Sequence, residues 1–193
     1  MLTNKRGRGM ISGPRFELNE FPTTAINFRH MSAIASFYIV PGERLNDVVA
    51  AATPAPGGWF RPERDTFWDA LRGAARELET FAWSGWAFNT LDLYLESRHG
   101  FMYANFGDAV ASRQLSKARG SDWLVMPASS TAELLAALNG VECDAGDVTA
   151  FIASEHGTDG AGEEAVAVQA ALTTLKVWLA EVPPGSVGLL SVG

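Results

Sequence analysis

Histidine and cysteine, which often bind metals or act as catalysts in proteins, are few and scattered in this chain. Its three histidines, His30, His99 and His156, lie far apart in the sequence. None of them belongs to an H-E-x-x-H motif, and a single cysteine excludes a C-x-x-C pair. The sequence therefore predicts no metal site, no cofactor and no catalytic residue, and it favours a protein that is not an enzyme.

One loop nevertheless groups residue types that can bind a divalent cation. The segment from Ser154 to Gly162 holds Glu155, His156 and Asp159 among glycines. Oxygen-ligand sites usually use more donors at fixed spacing, so a solvated loop between two helices is the simpler interpretation. The sequence leaves the role of this loop open.

The cysteine, Cys143, lies between Glu142 and Asp144. Adjacent carboxylates disfavour the thiolate, so they should raise the pKa of the thiol above that of a free cysteine. Because a nucleophilic cysteine needs a lowered pKa, we do not expect Cys143 to be catalytic. A lone thiol also fits a reducing cytosol better than a secreted scaffold.

Two aromatic segments supply the candidate binding residues. The first is Trp59 with Phe60, which follow two glycines in a loop predicted by the composition of TPAPGG. An aromatic pair on a loop either anchors a partner or folds back over the core.

The second segment spans residues 83–99, where a largely apolar helix predicted over 83–97 carries Asn89 and Asp92, and His99 follows it. Asp92 and His99 are seven residues apart, which is two helical turns, so they could share one face if the helix extends to His99. An aromatic-lined pocket at this place would belong to an enzyme or a small-ligand-binding protein. That function is the alternative to the one favoured by the charge.

The charge of the chain is strongly uneven. Between Gly120 and Gly193 the only basic side chain is Lys176, against ten acidic ones, which gives this part a net charge of −9. The ten are Asp122, Glu133, Glu142, Asp144, Asp147, Glu155, Asp159, Glu163, Glu164 and Glu181. Such a surface repels nucleic-acid phosphates and anionic lipids and attracts basic proteins.

We therefore expect a non-enzymatic binding or regulatory protein with an acidic C-terminal half and a basic protein partner. An immunity or inhibitor protein against a basic toxin is one concrete form of this function. The simpler alternative is that the acidity only keeps the protein in solution. No nucleic-acid or membrane partner is expected, and the sequence does not predict the oligomeric state.

The cellular compartment is predicted from the lengths of the apolar segments. No apolar run of signal-peptide length follows the basic residues Lys5 to Arg8, and no run approaches the ~20 apolar residues of a membrane span. The prediction is a cytoplasmic protein.

The chain divides into an extension and a domain. Residues 1–30 carry five basic and two acidic side chains and show no helical or strand period, so we expect them to be poorly ordered or peripheral. Met31 opens a segment that reads as the start of a domain over residues 31–193. Whether Met31 is the true start is left open.

The domain is predicted to be α+β, helix-rich, with one small mixed sheet that contains residues 33–40 and 187–192. These two apolar runs are bounded by Pro41 and by Pro183-Pro184-Gly185. Residues 100–126 are ambiguous between short strands and a helix.

Three helices are predicted in the first half of the domain: after Pro41 to about residue 52, over 62–80 and over 83–97. A fourth should begin at a capping box formed by Ser130 and Glu133 and end at a left-handed residue in Asn139-Gly140. A fifth should follow a cap at Asp147, and the last should start near Glu163. The predicted core consists of Trp68, Leu71, Trp86, Leu91, Leu135, Leu175 and Trp178.

Three stretches together resemble the YfbM-like family of small bacterial domains of no established function. They are Met31 to Ala52 (MSAIASFYIVPGERLNDVVAAA), Phe81 to Ser97 (FAWSGWAFNTLDLYLES) and Leu175 to Gly193 (LKVWLAEVPPGSVGLLSVG). The resemblance implies a compact α+β domain in the bacterial cytoplasm. It brings no active site to these residues.

Overall fold

The computed structural model describes residues 33–54 and 65–193 of the chain. The predicted extension 1–30, Met31 and the pair Trp59 and Phe60 lie outside these described residues. The elements in chain order are β1 (Ala35–Pro41), a 3-10 turn (Gly42–Arg44), α1 (Leu45–Ala52), α2 (Phe67–Ala74), β2 (Arg76–Glu77), α3 (Trp86–His99), a 3-10 helix (Tyr103–Phe106), α4 (Ala109–Arg119), β3 (Asp122–Pro127), α5 (Ala128–Asn139), α6 (Ala145–His156), α7 (Ala161–Ala180) and β4 (Ser186–Val192).

The first and last apolar runs pair with each other, as the sequence predicted. β1 and β4 are antiparallel neighbours in register from Ala35 opposite Val192 to Pro41 opposite Ser186. The sheet has the order β2-β1-β4-β3. Helices and a four-stranded sheet in one compact unit confirm the α+β class.

The sheet is antiparallel at each pairing of the described strands, so the predicted mixed sheet was wrong. An unbroken apolar run is typical of strands covered on both sides, which are most often parallel. Here the runs are unbroken because helices cover both faces of an antiparallel sheet. An unbroken apolar run therefore does not indicate whether its strand is parallel or antiparallel to its neighbours.

Alternate residues of the central strands serve two separate cores. Phe37 of β1 and Leu190 of β4 pack with α3, α5, α6 and α7 on one face. Tyr38 and Leu189 pack with α1, α2 and α4 on the other face. The period of two along a strand thus divides the described protein into three layers.

A stack of three aromatic rings joins the larger core to the sheet. The ring of Trp178 lies 5.4 Å from that of Phe37 and 5.5 Å from that of Phe88, both in stacked geometry. Gly188 makes room for it, because a Cβ there would lie 2.5 Å from Cζ of Phe37. Trp178 is buried, as predicted.

Helix α4 closes the outer edge of β3 with two serines one turn apart. The Oγ of Ser116 accepts a hydrogen bond from the Trp123 amide at 2.9 Å and donates one to its carbonyl at 3.3 Å. The Oγ of Ser112 accepts from the Val125 amide at 2.9 Å. The backbone groups that a further strand would use are therefore occupied at these positions.

An irregular segment closes the opposite edge of the sheet. The amides of Leu78, Phe81 and Gly85 donate to the carbonyls of Phe37, Ala35 and Ala33 at 2.8, 3.1 and 2.7 Å, respectively. This explains why the helix predicted over 62–80 ends at Ala74. A buried strand edge needs these donors, and that need outweighs the helical pattern of the following residues.

Packing also corrects part of the predicted core. Trp68 is 43% exposed, because a rotation of about 100° per residue lets only one of two neighbours face the sheet, and Phe67 takes that place at 0%. Trp86 and Leu135 are only partly buried. Leu71, Leu91, Leu175 and Trp178 are buried as predicted.

Three predicted helix signals were wrong. Helix α5 begins at Ala128, so Ser130 is already inside it, and Pro127 stands at its cap without a side-chain bond. Gly140 has a φ of −82°, which is not left-handed. Asp144, rather than Asp147, caps α6 by accepting from the amides of residues 146 and 147.

We predict that Trp178→Ala lowers the free energy of unfolding by about 3–5 kcal/mol, because it leaves a cavity between Phe37 and Phe88. Urea denaturation followed by circular dichroism measures the loss. Val177→Ala is the matched control, since Val177 is adjacent on the helix and 57% exposed. An equal, small effect of both substitutions would contradict the stacked core.

We predict that Ser116→Ala costs about 1–3 kcal/mol, since it leaves the Trp123 amide and carbonyl without their side-chain partner at a partly buried edge. Ser97→Ala, at an exposed helical position, should change stability little. The same denaturation measurement checks both. Indistinguishable midpoints for the two variants would show that α4 does not hold this edge.

Candidate functional site

Helix α3 carries the predicted site residues of the described chain, and its contacts separate them. Asn89 is partly buried, Asp92 is buried and His99 is exposed. Asp92 contacts the 3-10 helix Tyr103–Phe106, whereas the His99 ring meets the ring of Tyr94 edge-on, with centroids 5.9 Å apart. The two residues thus serve different neighbours.

Asp92 holds the 3-10 helix that follows α3. Its Oδ1 accepts a hydrogen bond from the Ala104 amide at 3.4 Å, and the backbone of Tyr103 also bonds to the carboxylate. The pKa of Asp92 is raised to about 6: burial is the largest cause, Glu96 adds a smaller increase, and the two amides lower the pKa. Because the carboxyl group of Asp92 is buried, its ionisation lowers the stability of the folded protein.

A second group of polar contacts fastens α3 to α6. The hydroxyl of Tyr94 donates to Oδ2 of Asp147 at 3.0 Å, and Arg98 pairs with Oδ1 of the same carboxylate at 3.2 Å. Burial, and then the bond to Asp147, raise the pKa of Tyr94. Asp147 therefore links two helices, and as the third residue of α6 it lies inside the helix rather than at its cap.

Cys143 lies beside this group and is partly buried. Its pKa is raised, as the sequence predicted, but burial is the largest cause, followed by Asp147; Asp144 adds less, and Lys176 lowers the pKa. The thiol is therefore a poor nucleophile at neutral pH.

A third contact joins α3 to α7. The hydroxyl of Thr90 donates to Oε1 of Glu164 at 2.9 Å. Thr90, Tyr94 and Arg98 follow one another at four-residue spacing, so they form one polar line on a largely apolar helix. The sequence analysis did not assign Thr90 and Arg98 to a site, although their four-residue spacing from Tyr94 places all three on one face of a helix. The line attaches α3 to its neighbours rather than forming a reactive centre.

The glycine-containing loop between α6 and α7 carries exposed Glu155 and Asp159. Gly157 and Gly160 have φ values of +91° and +76°, which glycine adopts without strain. Within residues 33–54 and 65–193, no group of three or more histidine, cysteine or acidic residues could hold a metal ion.

In the same residues no helix is both long and apolar enough to cross a bilayer.

The sheet separates two layers of very different charge. We call α3, α5, α6 and α7, with the connections from α5 to β4, the acidic layer. Among the described residues it carries eleven acidic side chains and two basic ones, Arg98 and Lys176. The acidic residues are Asp92, Glu96, Glu133, Glu142, Asp144, Asp147, Glu155, Asp159, Glu163, Glu164 and Glu181.

The opposite layer, which comprises residues 42–54, 65–75 and 108–121 around α1, α2 and α4, is balanced. In the described residues it has five acidic side chains and five basic ones. Three ion pairs neutralise it locally, namely Arg44 with Asp47, Arg72 with Asp69 and Arg119 with Asp65. By contrast, Glu133, Glu142, Glu155 and Glu163 of the acidic layer are exposed and form no ion pair with any described residue.

We predict that Asp92→Asn removes a pH dependence of stability. The folded state raises the pKa of Asp92 from 3.8 to about 6, so the folded protein binds this proton more tightly than the unfolded chain. The contribution to stability is therefore complete below about pH 4 and is lost as the pH rises through about 6. The unfolding free energy of the wild type minus that of the variant should fall by about 3 kcal/mol over this range.

Denaturation series between about pH 4 and 7 measure this difference, in which titrations common to both proteins cancel. Ser97→Ala, at an exposed position of the same helix and without a titratable group, is the control and should give a flat difference. A flat difference for Asp92→Asn as well would show that Asp92 titrates like an exposed carboxyl.

No protein-family model matches the chain, and no curated protein sequence matches it. Among solved structures, its fold is similar to that of YfbM from Escherichia coli, a protein of unknown function. The two share 13% sequence identity with a TM-score of 0.48, over 83% of this chain and 99% of that one. The similarity agrees with the YfbM-like resemblance predicted from the sequence, and it concerns the fold alone.

Proposed function

We propose that the protein is a non-enzymatic binding or regulatory protein of the bacterial cytoplasm whose acidic layer binds a basic protein. The observation that carries this proposal is the separation of charge by the sheet. Among the residues that the structure describes, the excess acidic side chains of the helical layers lie in the layer built from α3, α5, α6 and α7, while the opposite layer is balanced.

Such a layer acts on partners through its summed field. Charges of one sign on one side steer an oppositely charged protein into the productive orientation and raise the association rate. The same field repels nucleic-acid phosphates and anionic lipid headgroups. An immunity or inhibitor protein that covers a basic toxin is one concrete form of this function.

The distribution of the charge favours binding over a purely solubilising role. Solubility needs net charge but not its concentration on one layer. Exposed Glu133, Glu142, Glu155 and Glu163 also have no ion-pair partner among the described residues. A basic partner would supply the missing cations.

The alternative function is that of an enzyme or a small-ligand-binding protein with an aromatic-lined pocket near residues 83–99. Its support is Asp92, since a buried carboxyl with a raised pKa is common at functional sites. The contacts of that carboxyl favour a structural role, because the amides of Tyr103 and Ala104 occupy it. The aromatic rings of Phe88 and Tyr94 are likewise in the core.

We predict that a partner captured from the source organism binds more weakly as salt rises from about 50 to 200 mM. The captured protein is identified, purified and titrated calorimetrically. The triple variant Glu133→Lys, Glu142→Lys, Glu163→Lys should weaken binding by at least about tenfold.

The matched control is Glu43→Lys, Asp47→Lys, Asp69→Lys, which makes the same change in net charge on the balanced layer. It should weaken binding much less. Equal effects of the two triple variants would mean that only net charge matters. A partner with no salt dependence would contradict the proposed function.

A further inference from the structure

A groove of about 530 Å³ lies between the C-terminal half of α7 and the segment that follows β2. Leu78 and Phe81 line one side, and Thr173 and Val177 line the other, with Trp178 also in the lining. Val177 is 57% exposed, so an apolar surface is offered to solvent on a helix of the acidic layer.

The groove is held in place by contacts that do not depend on a ligand. The ring of Trp178 is fixed by stacking on Phe37 and Phe88. The side with Leu78 and Phe81 is fixed by the hydrogen bonds of their amides to β1, at 2.8 and 3.1 Å. A preformed groove loses little conformational entropy when it binds a ligand.

Three charged side chains line the groove, Arg76, Glu79 and Glu181, and give it a net charge of −1. Glu79 is exposed and forms no ion pair with any described residue. Glu181 pairs with Arg76 at 3.1 Å, with both side chains more than half exposed. This pair is too exposed to contribute much stability, so an incoming cation can compete for Glu181 at little cost.

We propose that this groove binds a short basic segment of the partner protein, with an apolar side chain packed on exposed Val177 and a lysine or arginine paired with Glu79. The inference rests on the proposed function and adds to it the apolar centre that stable interfaces need beside charge. A second copy of the chain is a poor occupant, because it has a net charge of −7 and would bring its own acidic layer.

The test uses a synthetic peptide of alternating leucine and lysine, titrated into the isotope-labelled full chain and followed by NMR. We expect the Trp178 indole and the amides of Glu79 and Val177 to shift. Val177→Ser should weaken the peptide about fivefold and Glu79→Gln about threefold. Val166→Ser is the matched control on the same helix, since Val166 is 48% exposed and lies outside the groove lining.

Two further peptides separate the contributions. Replacing leucine by serine, or lysine by glutamate, should abolish the shifts around the groove. Shifts confined to Glu133, Glu142 and Glu163 would overturn the groove while leaving the acidic layer as a binding surface. No shift at either place, or a dimer in sedimentation that Val177→Ser dissociates, would also overturn the inference. The proposed function is tested separately, by the charge-reversal variants at Glu133, Glu142 and Glu163, because these substitutions leave the groove intact.

Discussion

The antiparallel pairing of β1 with β4 is the constraint on which the rest of the described structure depends. It joins two strands that are about 150 residues apart in the chain, and both are buried on both faces. Closing so long a loop has an entropic cost, which the burial of apolar residues on both sides of the two strands offsets. Helices must then cover both faces of the sheet, which produces three layers.

The edges of this sheet are closed by parts of the chain that are not themselves regular strands, apart from the two residues of β2. On one side the serines of α4 bond to the backbone of Trp123 and Val125. On the other side the amides of Leu78 and Phe81 bond to β1. Recognition by strand addition is therefore disfavoured at these positions, and the helical layers remain as the surfaces available to a partner.

The acidic layer combines rigid attachment with unneutralised charge. Thr90, Tyr94 and Arg98 fasten α3 to α7 and α6, and in doing so they engage Glu164 and Asp147. These two acids are structural, whereas exposed Glu133, Glu142, Glu155 and Glu163 form no ion pair with any residue that the structure describes. The groove beside Trp178 adds an apolar element to the same layer, so charge and apolar burial can act on one ligand.

The sequence alone determined the α+β class, the two central strands, the position of the last helix and the total negative charge. These follow from apolar runs, helical period and composition, which are local properties. The end of α2 at Ala74, the exposure of Trp68 and the false capping box at Ser130 depended on tertiary structure. The amides after α2 bond to β1, and the ring of Phe67 takes the place facing the sheet and meets Trp123, so distant partners decided the first two. Helix α5 begins at Ala128, directly after β3, which places Ser130 inside it.

The candidate site was less readable from the sequence than the fold. The seven-residue spacing of Asp92 and His99 suggested a shared face, but only packing decided that Asp92 is buried against the Ala104 amide while His99 is exposed. The excess of acidic residues was visible in the composition. Its confinement to one layer was not, because the sheet assigns helices to its two faces through long-range pairing, which the local sequence does not encode.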